Sequence, residues 1–282
     1  MHKLLLHRKG KKKDKPFSHP SNWVDLSPGR RRHLPFIHKA PTCPALRPYP
    51  NKDHYTCQIP AVIFQTWHTK EALPPLMFAA IQQIRVSNPG FKHYLYDDQE
   101  CRDFIQKHYD RRVLNAFDSL VPGAFKADLW RYCVLFQHGG IYLDIKYVPI
   151  NQFRLINLLE SEHWVLDVDQ TGIYNAVMVC RPGCPRLKKA IDQVVHHVET
   201  KYYGHGFLDP TGPQMLSKLF NDSERRSFDM RHELRGGRDC DKYVTFNGWD
   251  VLQCYPGYTK ERDNNSLVPH YGTLWNQRAI YR

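Results

Sequence analysis

Helix and strand meet at a double glycine in PGAFKADLWRYCVLFQHGGIYLDIKYVPI, Pro122–Ile150. Before the glycines, Leu129, Trp130, Cys133, Val134, Leu135 and Phe136 form an apolar helical run. Gly139 and Gly140 supply its stop. After them, IYLDIKYVPI alternates as a strand does. A period of two sends Tyr142, Asp144 and Lys146 to one face, and Ile141, Leu143, Ile145 and Tyr147 to the other. Asp128 and Arg131 are three apart and share a face of the helix. They could simply pair. A buried ion pair adds little stability, however, so positioning is the competing reading. Asp144 reads either as a solvent-facing carboxylate or as the rim of a site, and the tight glycine pair before it favours the site.

Outward from this motif, elements of two kinds alternate. CQIPAVIFQTW opens the body, and its short branched run Ile59–Phe64 suits a buried parallel strand. PPLMFAAIQQIRVSN follows as an amphipathic helix, with Pro74 and Pro75 tolerated in its first turn and Asn88–Gly90 as its stop. FKHYLYDD is a second strand, and DQECRDFIQKHY a helix capped by Asp97 or Asp98. Beyond residue 160, HWVLDVD and YNAVMVC read as strands and Pro185–Tyr202 as a helix, while TFNGWDVLQCYPGY is turn-rich. This order predicts an α/β fold, a mostly parallel central sheet with helices on both faces. Such sheets bind ligands at the carboxyl ends of their strands.

Of the 282 residues, 41% are hydrophobic and 13% aromatic, ample for a packed core. The formal charge of +12 raises nucleic-acid binding as a function. Yet ten of the 40 Lys and Arg residues, against two of the 28 Asp and Glu, lie in residues 1–33. The basic character thus belongs mostly to HRKGKKKDK and GRRRH, blocks whose self-repulsion predicts a disordered tail. An anionic membrane surface, nucleic acid, or a nuclear import receptor would suit it. We divide the chain into a basic, Pro-rich and largely disordered tail and lead-in, 1–56, and a folded domain, 57–282. Leu4–Leu6 is too short for a signal-peptide core, and no apolar run of about 18 residues occurs. The expected location is therefore cytoplasmic or peripheral to a membrane, rather than the Golgi lumen.

Eight cysteines, at 43, 57, 101, 133, 180, 184, 240 and 254, do not demand a disulfide framework in a chain this long. Cys180 and Cys184 flank the turn RPG; taken with His196 and His197 downstream, their spacing fits no standard zinc pattern.

IPAVIFQTW, NPGFKHYLYDD, FKADLWRYCVLFQHGGIYLDIKY, TGP and PHYGTLW occur in this order. Together they resemble the glycosyltransferases of family 32, sugar transferases with a DXD motif. That group includes fungal mannosyltransferases, and its core is similar to that of the clostridial glucosylating toxins. The resemblance spans about Ile59–Trp275, and its specific part is ADLWRY with GGIYLD. It implies a GT-A type nucleotide-sugar-binding sandwich. The implied reaction is retaining transfer of a hexose from a UDP- or GDP-sugar to a glycan, lipid or protein acceptor. By the same resemblance Asp128, Arg131 and Asp144 contact the donor, and Tyr142 approaches its diphosphate. Phe64, Gln65 and Thr66 hold the base, with Phe64 stacking on it, and Thr211, Gly212 and Pro213 lie beside the sugar. His270 lies near metal or phosphate. Asp167, Asp169 and Asn175 either orient acceptor or sugar, or are ordinary turn and strand-end residues.

Lys146 departs from that pattern, because the family has Asp there as a direct ligand of a divalent metal, Mn²⁺ or Mg²⁺. Such hard cations want oxygen ligands, and Lys offers none. Either Lys146 performs part of the metal's work on the leaving diphosphate, or a metal persists on Asp144 and His270. A non-catalytic nucleotide-sugar-binding protein and a basic-tail nucleic-acid binder are the alternative functions. The joint presence of Asp128, Arg131, Tyr142 and Asp144 argues against the first.

Overall fold

Branched and aromatic residues at alternate positions build the first sheet. In the computed structural model, which describes residues 47–236 and 241–282, β1 (Val62–Thr66) lies parallel to β2 (Lys92–Tyr96) and to β3 (Gly140–Leu143). The expectations placed on residues 1–46, and those on Cys43 and Cys240, lie outside the described residues.

The strand drawn through Ile150 is broken. Asp144–Lys146 form a turn closed by the Tyr147 amide donating to the Asp144 carbonyl at 3.0 Å. The chain then enters a second sheet as β4 (Tyr147–Pro149). After β5 (Val165–Leu166), β6 (Val177–Cys180) returns antiparallel to β3, giving the first sheet the order β2-β1-β3-β6. β7 (Met230–Leu234), β8 (Lys242–Phe246) and β9 (Trp249–Cys254) complete the second, ordered β4-β9-β8-β7-β5. It is mainly antiparallel, with β5 and β7 parallel. The turn-rich segment near Gly248 is thus the β8–β9 hairpin, with Asn247 and Gly248 at positive φ.

The helices are α1 (Pro75–Ser87), α2 (Asp98–His108), α3 (Arg111–Ser119), α4 (Gly123–His138) and α5 (Pro185–Glu199). Shorter ones follow: α6 (Pro213–Ser217), α7 (Asp222–Arg226), α8 (Tyr258–Asn264) and α9 (Tyr271–Asn276). Asp97 caps α2 in a reciprocal capping box with Glu100. Asp110 caps α3, its side chain accepting from the Arg112 and Val113 amides.

Strand alternation divides the core. Phe64, Tyr142 and Met178 face α2–α5, where they meet Phe104, Phe117, Trp130 and Leu187. Ile63, Ile141, Leu143, Val177 and Val179 face the second sheet, among Val244, Val251 and Leu252. Helices therefore cover one face as expected, while the other is taken mostly by the second sheet, with Ile84 of α1 joining it. Residues 47–56 have no regular structure, yet Tyr49 packs edge-on to Phe153 at 4.7 Å and its amide donates to the Asn151 carbonyl.

Candidate active site

β1 and β3 run parallel, so Thr66 and Leu143 end on the same edge of the sheet, with Asp144 just beyond. Tyr142 points to the α4 side, and Arg131 of α4 lies over its ring at 4.2 Å. Helix pair and strand motif meet there. Asp144 Oδ1 accepts from the Tyr142 hydroxyl at 2.9 Å and lies 3.5 Å from Arg131 Nη2. Its Oδ2 accepts from Lys146 Nζ at 2.5 Å. Alternation through one strand does not explain this convergence, because the turn at Asp144–Lys146 folds Lys146 back onto Asp144.

A second layer holds Asp128. Arg131 Nη2 is 3.2 Å from Asp128 Oδ1, which also accepts from Asn175 Nδ2 at 2.8 Å. Thr211 Oγ1 donates to Asp128 Oδ2 at 2.7 Å. Asn175 Nδ2 also donates to the Tyr132 hydroxyl at 2.8 Å, which donates to the Thr211 carbonyl at 2.7 Å. The Asn175 carbonyl accepts from Arg131 Nη1 at 2.7 Å. Both members of the pair are thus hydrogen-bonded throughout, as buried charges require. Burial raises the Asp128 carboxyl above its ordinary value, against the pull of Arg131, Thr211 and Asn175. At Asp144 burial also opposes ionisation, but Lys146 and Arg131 together hold its carboxyl below the usual range.

Lys146 does more than pair. Its ammonium lies 5.3 Å from the centre of the Tyr147 ring and 5.5 Å from that of Tyr174, and the two phenols are hydrogen-bonded to each other at 2.8 Å. Lys242 of β8 is close enough that, after burial, the charge of Lys146 is the next cause depressing its ammonium. Arg262 is close enough to act on the phenols of Tyr258 and Tyr271. Beyond Tyr174, His232 stacks on that ring at 3.7 Å and its Nδ1 pairs with Asp167 at 2.8 Å.

The other residues singled out above divide sharply. Phe64 does not present a stacking surface: it is 1% exposed, packed between Tyr94 and His138, because its position in β1 faces the helices. Gln65 is fully buried against His93, and Thr66 Oγ1 donates to the Tyr96 carbonyl. Thr211 is fully buried, so it supports Asp128 instead of facing a ligand. Gly212 follows it, where a Cβ would lie 3.4 Å from Asp128 Oδ2, and Pro213 opens α6. His270 caps α9, its Nδ1 accepting from the Gly272 amide at 3.2 Å.

A divalent cation held as in a DXD motif does not fit this donor set. Both Asp144 oxygens already accept from cationic or hydroxyl groups, and an ammonium stands where the second carboxylate would be. Among the described residues, neither Asp144 nor His270 belongs to a cluster of three metal-capable side chains. Tyr132, Tyr174, His232 and Lys242 carried no local signal, since they join the site through contacts distant in sequence; Tyr147 adjoins Lys146, but alternation assigned it to the opposite face.

Residues 74–165 match the family model described as a glycosyltransferase sugar-binding region containing a DXD motif. This region is thus similar to the sugar-binding region of the DXD-containing glycosyltransferases. The chain is 33% identical over 168 residues to inositol phosphoceramide mannosyltransferase 3 of Schizosaccharomyces pombe, covering 58% of this chain and 45% of that protein. It is 28% identical over 170 residues to the mannosyl phosphorylinositol ceramide synthase CSH1 of Saccharomyces cerevisiae, covering 60% and 44%. An uncharacterized glycosyltransferase of Acanthamoeba polyphaga mimivirus is 34% identical over 131 residues, 45% of this chain and 52% of that one. The chain therefore spans about half the length of these curated relatives. Among solved structures, the PaToxG glycosyltransferase aligns with a TM-score of 0.44 at 16% identity, over 57% of this chain and 67% of that one.

Proposed function

We propose that the domain transfers a hexosyl group from a UDP- or GDP-sugar to a hydroxyl of a glycan, lipid or protein, with retention of configuration. One observation carries this reading: the gathering of fixed cations at the end of β3. Arg131 and Lys146 both reach Asp144, and Lys242 stands within the field of Lys146. Asp128 and Asp144 hold the first two of these cations, and Asp241 also acts on Lys242. Cations gathered in this way at a strand end suit the diphosphate of a nucleotide sugar.

In this reading Asp128 and Asp144 orient Arg131 and Lys146 toward the leaving group. As the bond from the anomeric carbon to the phosphate oxygen breaks, its electron pair stays on the diphosphate. Cations already in place stabilise that charge without reorganising. The acceptor oxygen attacks the same face, and its proton passes to the departing phosphate oxygen. No enzymic nucleophile is required, and no step depends on a metal. The names of the fungal relatives favour mannose as the sugar and a phosphoinositol ceramide as the acceptor.

Donor hydrolysis across a panel of UDP- and GDP-sugars, with and without EDTA, tests the proposal. Turnover is expected to survive EDTA, and Lys146→Met is expected to lower kcat by about 10²–10³-fold, the usual cost of one stabilising donor. Complete loss in EDTA with recovery in Mn²⁺ would sink the metal-free assignment. Tight donor binding without any turnover would make the domain a binding protein instead.

A further inference from the structure

Away from Asp144, the first sheet ends at a second cluster. Cys180 closes β6, Cys184 immediately precedes α5, and Gly183 between them has φ +72°. An antiparallel bridge pairs His163 with Val179, which sets Glu162 opposite Cys180. The Arg181 amide donates to Glu162 Oε1 at 3.0 Å and fixes the carboxylate over the turn. As a result one ligand-capable atom from each of Glu162, Cys180 and Cys184 lies within 4.8 Å of the others. The two cysteines are buried and free, and Glu162 is half-buried.

The chemistry of these groups is selective. Two sulfurs and one carboxylate suit Zn²⁺ better than a hard cation. A tetrahedral ion with bonds of roughly 2.0–2.3 Å separates its ligands by roughly 3.3–3.8 Å, within reach of small side-chain rotations. Cys184 stands at the positive end of a 15-residue helix, where thiolates are favoured. Glu162 lines an open cleft of about 280 Å³ that also carries Glu224 and Asp229. The cation there, Arg186, is ion-paired to Glu224 and lies over the Phe220 ring. The cleft thus gives an ion a route to Glu162, and three protein ligands leave a fourth position for water. His196 and His197 are not part of the cluster, which is why spacing alone did not reveal it.

We propose that Glu162, Cys180 and Cys184 form a zinc site, separate from the Asp144 cluster, that clamps the Cys180–Cys184 turn to the chain entering β5. The clamp lies under Gly139, where a Cβ would come within 2.9 Å of the Cys180 carbonyl oxygen and 2.5 Å of Pro182 Cδ. A bound ion would therefore stiffen the glycine loop that leads into β3.

The full chain, reduced and stripped with a chelator, is titrated with Zn²⁺, and with Co²⁺ as a spectroscopic probe. The expected result is one ion per chain, a thiolate-to-cobalt charge-transfer band and a raised Tm. Cys184→Ser should abolish the band. Glu162→Gln, a half-buried substitution that leaves both thiols in place, should weaken binding by about tenfold or more, since even outer-shell partners are worth that much. No ion retained by the reduced chain would overturn the assignment. So would binding unchanged in both variants, or an apparent site that is only a Cys180–Cys184 disulfide releasing thiols that ignore zinc.

Discussion

Asn175 is one amide with two buried clients. Its Nδ2 donates to Asp128 and to Tyr132, and nothing else described can replace it between them. Asn175→Ala leaves a buried carboxylate short of a donor, which costs about 1–3 kcal/mol. Urea unfolding would read that loss. The same change has a signed effect on pH dependence. Burial already raises the Asp128 carboxyl, and Asn175 is among the groups pulling it down. Without the amide it should rise further, so the acid limb of kcat/KM should move to higher pH, because protonated Asp128 no longer holds Arg131. An unmoved limb would mean that activity does not follow Asp128 ionisation. The residues Asp128, Arg131, Tyr142, Asp144 and Lys146 were legible from spacing together with family resemblance. Asn175 was only half legible, because an Asn before an apolar strand is an ordinary strand-end residue until Asp128 is found beside it.

At the scale of elements, the glycine pair joins α4 to β3 and cannot be replaced cheaply. Gly140 has φ +106°, and a Cβ there would lie 2.7 Å from the Val62 carbonyl oxygen of β1. Gly140→Ala therefore combines backbone strain with a clash against a paired strand. We expect a loss of roughly 2–4 kcal/mol in chemical denaturation, whereas Gly123→Ala, at the start of α4 with nothing within 4 Å of the added Cβ, should be near neutral. Equal effects would show that the close approach to β1 is not what Gly140 serves. The helices α1, α2, α4 and α5 were readable because their stops and starts are local: Pro74, Asp97, Gly139 and Pro185. The turn at Asp144 was not readable. Alternation continues through Ile145 and Tyr147, and only pairing with β9 shows that Tyr147 has changed sheets.

Across the whole molecule, acid should loosen the fold well before ordinary carboxylates finish titrating. Burial, with the charge of Arg85 nearby, lowers His93 from 6.5 to about 3. A depressed histidine means that the unfolded chain takes the proton first. Stability should therefore fall as pH drops from about 6.5 toward 3, by up to about 1.4 kcal/mol per pH unit for this one proton. Asp144, held low by Lys146 and Arg131, adds a loss below the ordinary carboxylate range. The raised Asp128 carboxyl works in the opposite sense, since protonating it relieves a burial cost. Urea midpoints from pH 7 to 4 should decline in the parent and decline less in His93→Leu. Parallel curves would remove His93 from the account. Among the described residues no helix is long and apolar enough to cross a membrane.

Local patterns were enough for the helices α1, α2, α4 and α5, for the strands of the first sheet and for the acid–base motif, because periodicity and caps act between residues a few positions apart. The pairing of β4 and β5 into the second sheet, the support of Asp128 by Thr211 and Asn175, and the placing of Glu162 over the Cys180–Cys184 turn join residues well separated in sequence. Such contacts depend on which strands pair and in what register, and no local pattern encodes that. Packing also turned Phe64 inward and curled Lys146 back onto Asp144. Sequence named the groups; the fold gave the charge on Lys146 its place.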